Sequence, residues 1–428
     1  MGRGAYLKQL EIDLERWAAL GLVGRDQFDA LRANAGPPAR HYSLSGMLFM
    51  LGTILIACAI TIFIGANWQA LPRVARLGIL LALMWSAYGG AHILLQRERA
   101  VFAEGALLLG SVLFGAAIML IGQMYHINAG WPNGVLLWAC GMYLAAWAAP
   151  SRSCAVLAMI LFCVWSGGIT IGDDWVTHTP FLLALAAMIV LARSLNFHAL
   201  AHLIVLAFLA WSVANGAVLA DELPGAEFPF FIALMMTLAL AMWLGGAIAP
   251  QFGARFGALI AGYGLFFLTL VVFTLQFAED DATGRNLMIL LIFGCGGVVA
   301  AMALSGAALK AIAPVDALIA LALIGAALAN CAAGEGGGPS MNYLYAGLDL
   351  VFVAWLLTYG LRTQRAYAVN LAFVAFGAEV IYLYFVVFGT MLQQSALFAV
   401  GGVLFLVAAY VLERVRREVT RPKPEGVH

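Results

Sequence analysis

Residues 101–122 read VFAEGALLLGSVLFGAAIMLIG, a run of twenty-two residues with one charged side chain, Glu104. A helix rises about 1.5 Å per residue, so about 20 such residues cross the roughly 30 Å hydrocarbon core of a bilayer. Stretches of this kind recur with short breaks from Ser43 to Glu413. The sequence therefore predicts an all-α integral membrane protein, a polytopic bundle.

The composition supports the same class. Of 428 residues, 64% are hydrophobic and 10% are charged, whereas soluble domains carry about 25% charged residues. The net charge is zero, and basic residues are not interleaved with exposed aromatics, so we expect no nucleic-acid partner. The six cysteines lie within or at the ends of apolar segments without metal-ligand spacing, so we expect no metal and no cofactor.

Prolines, glycines and charged clusters divide the chain into about fourteen predicted membrane-spanning helices. The span at 179–193 is short enough for a tilted or half-crossing helix. The predicted spans are 43–66, 72–95, 101–122, 131–149, 152–171, 179–193, 198–220, 228–249, 254–278, 284–305, 311–332, 341–361, 366–388 and 391–413.

The basic residues predict the orientation of these spans, because Lys and Arg concentrate in short cytoplasmic loops. With the N-terminus inside, 19 of the 22 basic residues face the cytoplasm, and only Arg73, Arg76 and Arg285 lie outside. We therefore expect a bacterial inner-membrane protein with both termini in the cytoplasm, including a basic tail at 414–428.

The first 42 residues are polar and mixed in charge, so we expect no cleavable signal peptide there. We interpret residues 1–42 as a short cytoplasmic amphipathic helical hairpin, which is a possible docking site for a protein partner.

Two helical hairpins in residues 43–149 look like copies of each other. Residues 51–55, LGTIL, match residues 109–113, LGSVL, and an Ile-Gly pair follows in both copies at 64–65 and 121–122. Each copy then has an aromatic residue and a proline-containing turn before the next apolar helix. This pattern predicts an internal duplication, with residues 150–413 forming the remaining bundle.

The same stretches carry a resemblance to a known family. The matching features are Trp17 with residues 21–23, then Phe63-Ile64-Gly65-Ala66-Asn67-Trp68, then Phe114-Gly115-Ala116, and Leu120-Ile121-Gly122-Gln123-Met124-Tyr125-His126. Over roughly the first 150 residues the chain resembles the predicted membrane proteins of domain of unknown function 2157. The resemblance implies a membrane location and little about chemistry.

Two acids lie deep in predicted spans, where ionisable groups are costly and usually face a protein interior or a water-filled cavity. Asp349 is about 12 Å from the outer end of its span, and Glu379 is about 18 Å from the inner end of the next, antiparallel span. In a hydrocarbon core of roughly 30 Å the two acids therefore reach a similar depth. A close pair there suits proton or cation coupling. Alternatively, each acid is hydrogen-bonded separately, for instance to Asn370, Tyr343 or Tyr382, and only fixes helix packing.

Two further acids, Glu104 and Asp316, lie near the cytoplasmic ends of their spans. We expect them to pair with Arg99 and Lys310, respectively, and to have a structural role.

The second candidate site is the pair of outer turns in the duplicated hairpins. If the hairpins pack together, an arginine, amides, a histidine and aromatics converge there, which suits an anionic headgroup, a sugar or a carrier-lipid phosphate. The alternative is an ordinary interfacial belt that anchors helix ends. The candidate residues are Asn67, Trp68, Arg73, Gln123, Tyr125 and His126.

Motifs for phosphate loops, zinc helices and nucleophile elbows are missing from the sequence. Three hypotheses remain. The first is a secondary transporter or lipid-linked flippase that binds a small-molecule or lipid-linked substrate. The second is a non-catalytic scaffold or assembly subunit in envelope maintenance. The third and least favoured is a membrane enzyme that acts on a lipid or polyprenyl substrate. In every case we expect membrane lipids as partners.

Overall fold

The computed structural model describes residues 72–126, 130–172, 175–221, 227–252, 256–277, 285–332 and 339–387, with scattered positions in 13–28, 48–62 and 403–406. All regular elements among these residues are helical. The α-helices are α1 (Arg73–Gln96), α2 (Ala100–Met124), α3 (Trp131–Ala148), α4 (Arg152–Thr170), α5 (Phe181–Ser194), α6 (His198–Asp221), α7 (Glu227–Ile248), α8 (Gly257–Thr274), α9 (Arg285–Ala308), α10 (Pro314–Ala332), α11 (Pro339–Arg362) and α12 (Ala366–Val387). Short 3-10 turns extend α7 over Ala249–Phe252 and α8 over Leu275–Phe277.

These helices match the predicted spans from 72–95 to 366–388 one for one. Eight of the described helices are long and apolar enough to cross a membrane, and α5 is among the shorter apolar helices. Most of the first and last predicted spans and most of the N-terminal hairpin lie outside the described residues. The structure therefore shows an all-helical protein with at least eight candidate membrane spans.

Four of the described helices end in the same tight turn. In each, the amide of the second residue beyond the cap bonds back to a carbonyl five residues earlier, and a non-glycine residue adopts the left-handed conformation, a Schellman-type arrangement. The left-handed residues are Glu98, Asn196, Lys310 and Gln364. The closing bonds are Arg99 N to Leu94 O, Phe197 N to Ala192 O, Ala311 N to Gly306 O and Arg365 N to Gly360 O, at 2.9–3.1 Å. Three of these turns make the short connections from α1 to α2, from α9 to α10 and from α11 to α12.

One compact unit comprises residues 1–169 and 179–200. Its helices interlock by placing aromatic rings over glycines. The Trp138 ring covers Gly115 so closely that a Cβ there would lie 2.2 Å from it, and the indole N–H donates to the Ser111 carbonyl at 2.9 Å. Small residues thus let α2 and α3 approach, as in other membrane helix pairs.

The second unit comprises residues 170–178 and 201–428. Within it α7 packs against α8, α9 and α10, and α11 pairs with α12. Glycines bring the α7 and α8 backbones into contact: a Cβ on Gly264 would lie 2.5 Å from the Trp243 amide nitrogen, and one on Gly246 would lie 2.4 Å from that of Ala261. The rings of Trp243 and Phe352 are fully buried in this unit, and its packing positions the two deep acids.

Candidate functional site

The two deep acids, Asp349 and Glu379, lie side by side in the second unit. Asp349 is thirteen residues before the end of α11 at Arg362, and Glu379 is thirteen residues after the start of α12 at Ala366. Because a three-residue turn joins these antiparallel helices, both acids lie about 20 Å from that turn. The side chains are 1% and 0% exposed, and their carboxyl groups are close enough to hydrogen-bond to each other once one of them carries a proton. We call them the acid pair.

A third buried polar side chain, Gln276, joins the acid pair from the 3-10 turn that follows α8. Its Nε2 donates to Oε2 of Glu379 at 2.8 Å, and the residue is 1% exposed. The sequence pattern did not indicate a role for Gln276, because a lone amide at the end of an apolar segment resembles an ordinary interfacial residue. Its position beside Glu379 depends on how α8 packs on α12.

Four oxygens of this cluster are buried without a donor among the described residues. They are Oε1 of Gln276, both carboxyl oxygens of Asp349 and Oε1 of Glu379. A buried acceptor without a hydrogen bond costs about 1–3 kcal/mol, and two ionised carboxylates in contact would also repel each other. A proton carried by one acid, or a bound cation, would supply the missing positive partner.

The surroundings of the acid pair are aromatic and polar. One turn before Asp349, the hydroxyl of Tyr345 donates to Oδ1 of Asn330 at 3.1 Å, and Nδ2 of Asn330 has no acceptor among the described residues. On the other side, the Tyr382 ring, one turn after Glu379, packs edge to face on Phe277 with centroids 5.0 Å apart. The pair is therefore enclosed rather than open to a surface in this conformation.

Three other side chains were predicted as separate hydrogen-bond partners of the two deep acids. Asn370, nine residues before Glu379 on α12, is exposed, and the Tyr382 ring packs on neighbouring aromatic rings. The side chain of Tyr343 lies outside the described residues.

The other two acids have structural partners, which differ from the predicted ones. Glu104 accepts the Ser151 hydroxyl at 2.6 Å and the backbone amides of Arg152 and Ser153 at 3.2 and 3.3 Å, so its partner is the N-terminus of α4 and not the predicted Arg99. The positive end of the helix dipole compensates its charge there.

Asp316 is the buried half of an ion pair. Nη2 of Arg362 lies 2.5 and 2.6 Å from its two oxygens, the Trp355 indole donates to it at 3.0 Å, and the Ala313 amide donates at 3.2 Å. The partner is therefore Arg362 of the adjacent helix, and not Lys310 as predicted, because the packing of α10 on α11 determines which cation is close.

The predicted outer-turn site is only partly described. Asn67 and Trp68 lie outside the described residues, as does the side chain of Arg73. Gln123, Tyr125 and His126 are exposed at the end of α2, with Tyr125 62% exposed and His126 in the left-handed region at φ 52°. Convergence of the two turns stays a prediction.

Residues 15–155 match the family model of DUF2157, described as predicted membrane protein. No curated protein and no solved structure matches the chain. The matched region covers the α1–α3 helices and the start of α4, so the acid pair lies beyond it. The similarity to that family thus covers about the N-terminal third of the chain.

Proposed function

We propose that this protein is a secondary transporter or lipid-linked flippase in which Asp349 and Glu379 bind the coupling proton or cation. The carrying observation is the acid pair itself: two carboxyl groups in contact, buried in an apolar bundle, with oxygens that lack donors among the described residues. Acids that serve only packing acquire complete hydrogen-bond sets, as Asp316 does. Acids that pair with each other inside membrane spans are typical of ion pathways.

The pair offers a mechanism for coupling. With one shared proton, or with a monovalent cation held by the carboxylates and Oε1 of Gln276, the cluster carries one negative charge instead of two and can stay closed. After release, two carboxylates face each other in a medium of low dielectric constant, where repulsion and desolvation are both unfavourable. Water entry or separation of α11 from α12 relieves this strain. Binding and release of the ion would thereby bias two packings of the same helices.

The proposal includes the finer topology. About fourteen spans, with both termini in the cytoplasm of a bacterial inner membrane, agree with the distribution of basic residues. In that topology the tight turns at 97–99, 195–197, 309–311 and 363–365 all face the cytoplasm, and the acid pair lies in the outer half of α11 and α12. Labelling of single cysteines from either side of the membrane tests it: positions 98 and 364 should react only from the inside.

The coupling site is tested by infrared spectroscopy on protein in lipid nanodiscs. The wild type should show the C=O stretch of a buried protonated carboxyl, and that band should shift on transfer to D₂O because a coupling site opens to water. Asp349→Asn and Glu379→Gln should each remove the band. Asp221→Asn, at an exposed acid on α6, should leave it unchanged.

A parallel titration distinguishes the ion. If the site takes a cation, Na⁺ or Li⁺ at constant ionic strength should raise the Tm of the wild type but not of the two amide variants. If the carboxyl C=O band does not shift in D₂O and the Tm does not change with any of these cations, the coupling role is contradicted. The scaffold hypothesis would then be the better one.

A further inference from the structure

A groove of about 480 Å³ lies on the second unit where α6, α8 and the start of α12 meet. Its apolar wall is formed by one face of α8, with Ala258, Gly262 and Phe266 spaced one turn apart. Ala258 and Phe266 are both exposed. Over these eight residues the wall is about 12 Å long, and it lies on a helix that is apolar enough to cross a membrane.

Polar side chains also line the groove, around Gly262. A ring nitrogen of His202 lies 3.0 Å from the Tyr263 hydroxyl, and both residues line the groove. The Tyr367 ring covers Gly262, whose missing side chain leaves room beneath it. Arg365 donates to the Tyr367 hydroxyl at 3.0 Å. A cation, two phenols and an imidazole thus gather beside the apolar face of α8, around Gly262.

The charge beside the groove is positive. The hydrogen-bond partner of Arg365 is the neutral Tyr367 phenol, and no carboxylate among the described residues pairs with this guanidinium. First-turn residues of α8 and α12, Ala258 and Tyr367, also line the groove, and the helix dipoles are positive at these N-termini. An anion is therefore the complementary partner.

We propose that this groove binds one anionic glycerophospholipid. Its phosphate lies against Arg365 and the hydroxyls of Tyr367 and Tyr263, and one acyl chain lies along the α8 face from Gly262 toward Phe266. The lipid bilayer supplies this molecule directly, and its two chemically different parts match the polar groups around Gly262 and the apolar face of α8. Arginine and phenol donors suit a phosphodiester. The proposal is independent of the coupling role of the acid pair.

Native mass spectrometry of the delipidated full-length protein tests the site. The protein is titrated with phosphatidylglycerol and, separately, with phosphatidylcholine of the same acyl chains. The wild type should bind one phosphatidylglycerol about fivefold more tightly than phosphatidylcholine, the effect of about one cation near a lipid surface. Arg365→Gln should abolish this preference, whereas Arg365→Lys should keep most of it.

Two further variants separate the groove from general surface charge. Ala258→Trp fills the apolar wall at an exposed position and should weaken the binding of both lipids at this site. Lys310→Gln removes an exposed cation at another helix end and should behave as the wild type. Equal preference in the wild type and Arg365→Gln, equal loss in Lys310→Gln, or unaltered binding in Ala258→Trp would each overturn the proposal.

Discussion

Replacement of Asp349 by Asn should stabilise the folded protein, whereas the same replacement at Asp316 should destabilise it. Both aspartates are buried, at 1% and 2% exposure, and both substitutions keep the side-chain shape. They differ in their partners. Asp316 accepts donors from Arg362, Trp355 and Ala313, while the carboxyl oxygens of Asp349 have no donor among the described residues.

The magnitudes follow from those contacts. Hydrogen bonds to charged groups contribute about 1.5–3 kcal/mol. Because Arg362 is 43% exposed, water partly solvates its guanidinium once the negative charge of Asp316 is removed. We expect Asp316→Asn to lower the free energy of unfolding by about 2 kcal/mol. At Asp349 the new amide supplies a permanent N–H donor toward Glu379 and removes one of two adjacent acids. A gain of about 1 kcal/mol is expected there.

The assay is unfolding in mixed micelles titrated with a denaturing detergent, followed by tryptophan fluorescence. Asp221→Asn, at an exposed acid, serves as the matched control and should change stability by less than about 0.5 kcal/mol. If Asp349→Asn lost as much stability as Asp316→Asn, the Asp349 carboxylate would be a bonded structural group, and the argument for an ion-binding pair would fail.

Further predictions about stability can be tested by the same unfolding assay. Gly264→Ala should cost about 1–3 kcal/mol, because its Cβ would meet the α7 backbone at 2.5 Å, whereas Gly262→Ala meets the Tyr367 ring at an ordinary 3.7 Å and should be nearly neutral. Glu104→Gln should cost about 1 kcal/mol by weakening its hold on the α4 N-terminus, and a neutral result would contradict that anchoring. Burial lowers the pKa of His178, in the connection before α5, so the unfolded chain binds the extra proton and stability should fall as the pH drops below about 6.5. His178→Gln should flatten that part of the pH profile.

The sequence predicted the helices well because each depends on local information. Length and apolarity define a span, and prolines mark several starts, such as Pro314 and Pro339. The similar depth of Asp349 and Glu379 also followed from counting residues on adjacent antiparallel helices. These inferences need only helix rise and a short connecting turn, so no knowledge of packing was required.

The side chains that contact the buried acids could not be predicted in the same way. Lys310 is the nearest cation to Asp316 in sequence, but the packing of α11 on α10 places Arg362 there. Gln276 meets Glu379 only because α8 docks on α12 and continues into a 3-10 turn. Such contacts depend on the rotation and register of each helix against its neighbours.

The sequence alone therefore determined an all-helical membrane chain, the position of most helices and the depth of the acid pair. The tertiary structure decided which side chains meet: the amide beside the acids, the arginine on Asp316 and the groove at Tyr367. The physical reason is that helices such as α7 are apolar on every face, since lipid replaces water around them. No amphipathic pattern then indicates the inward face, and close glycine contacts between helices set it instead.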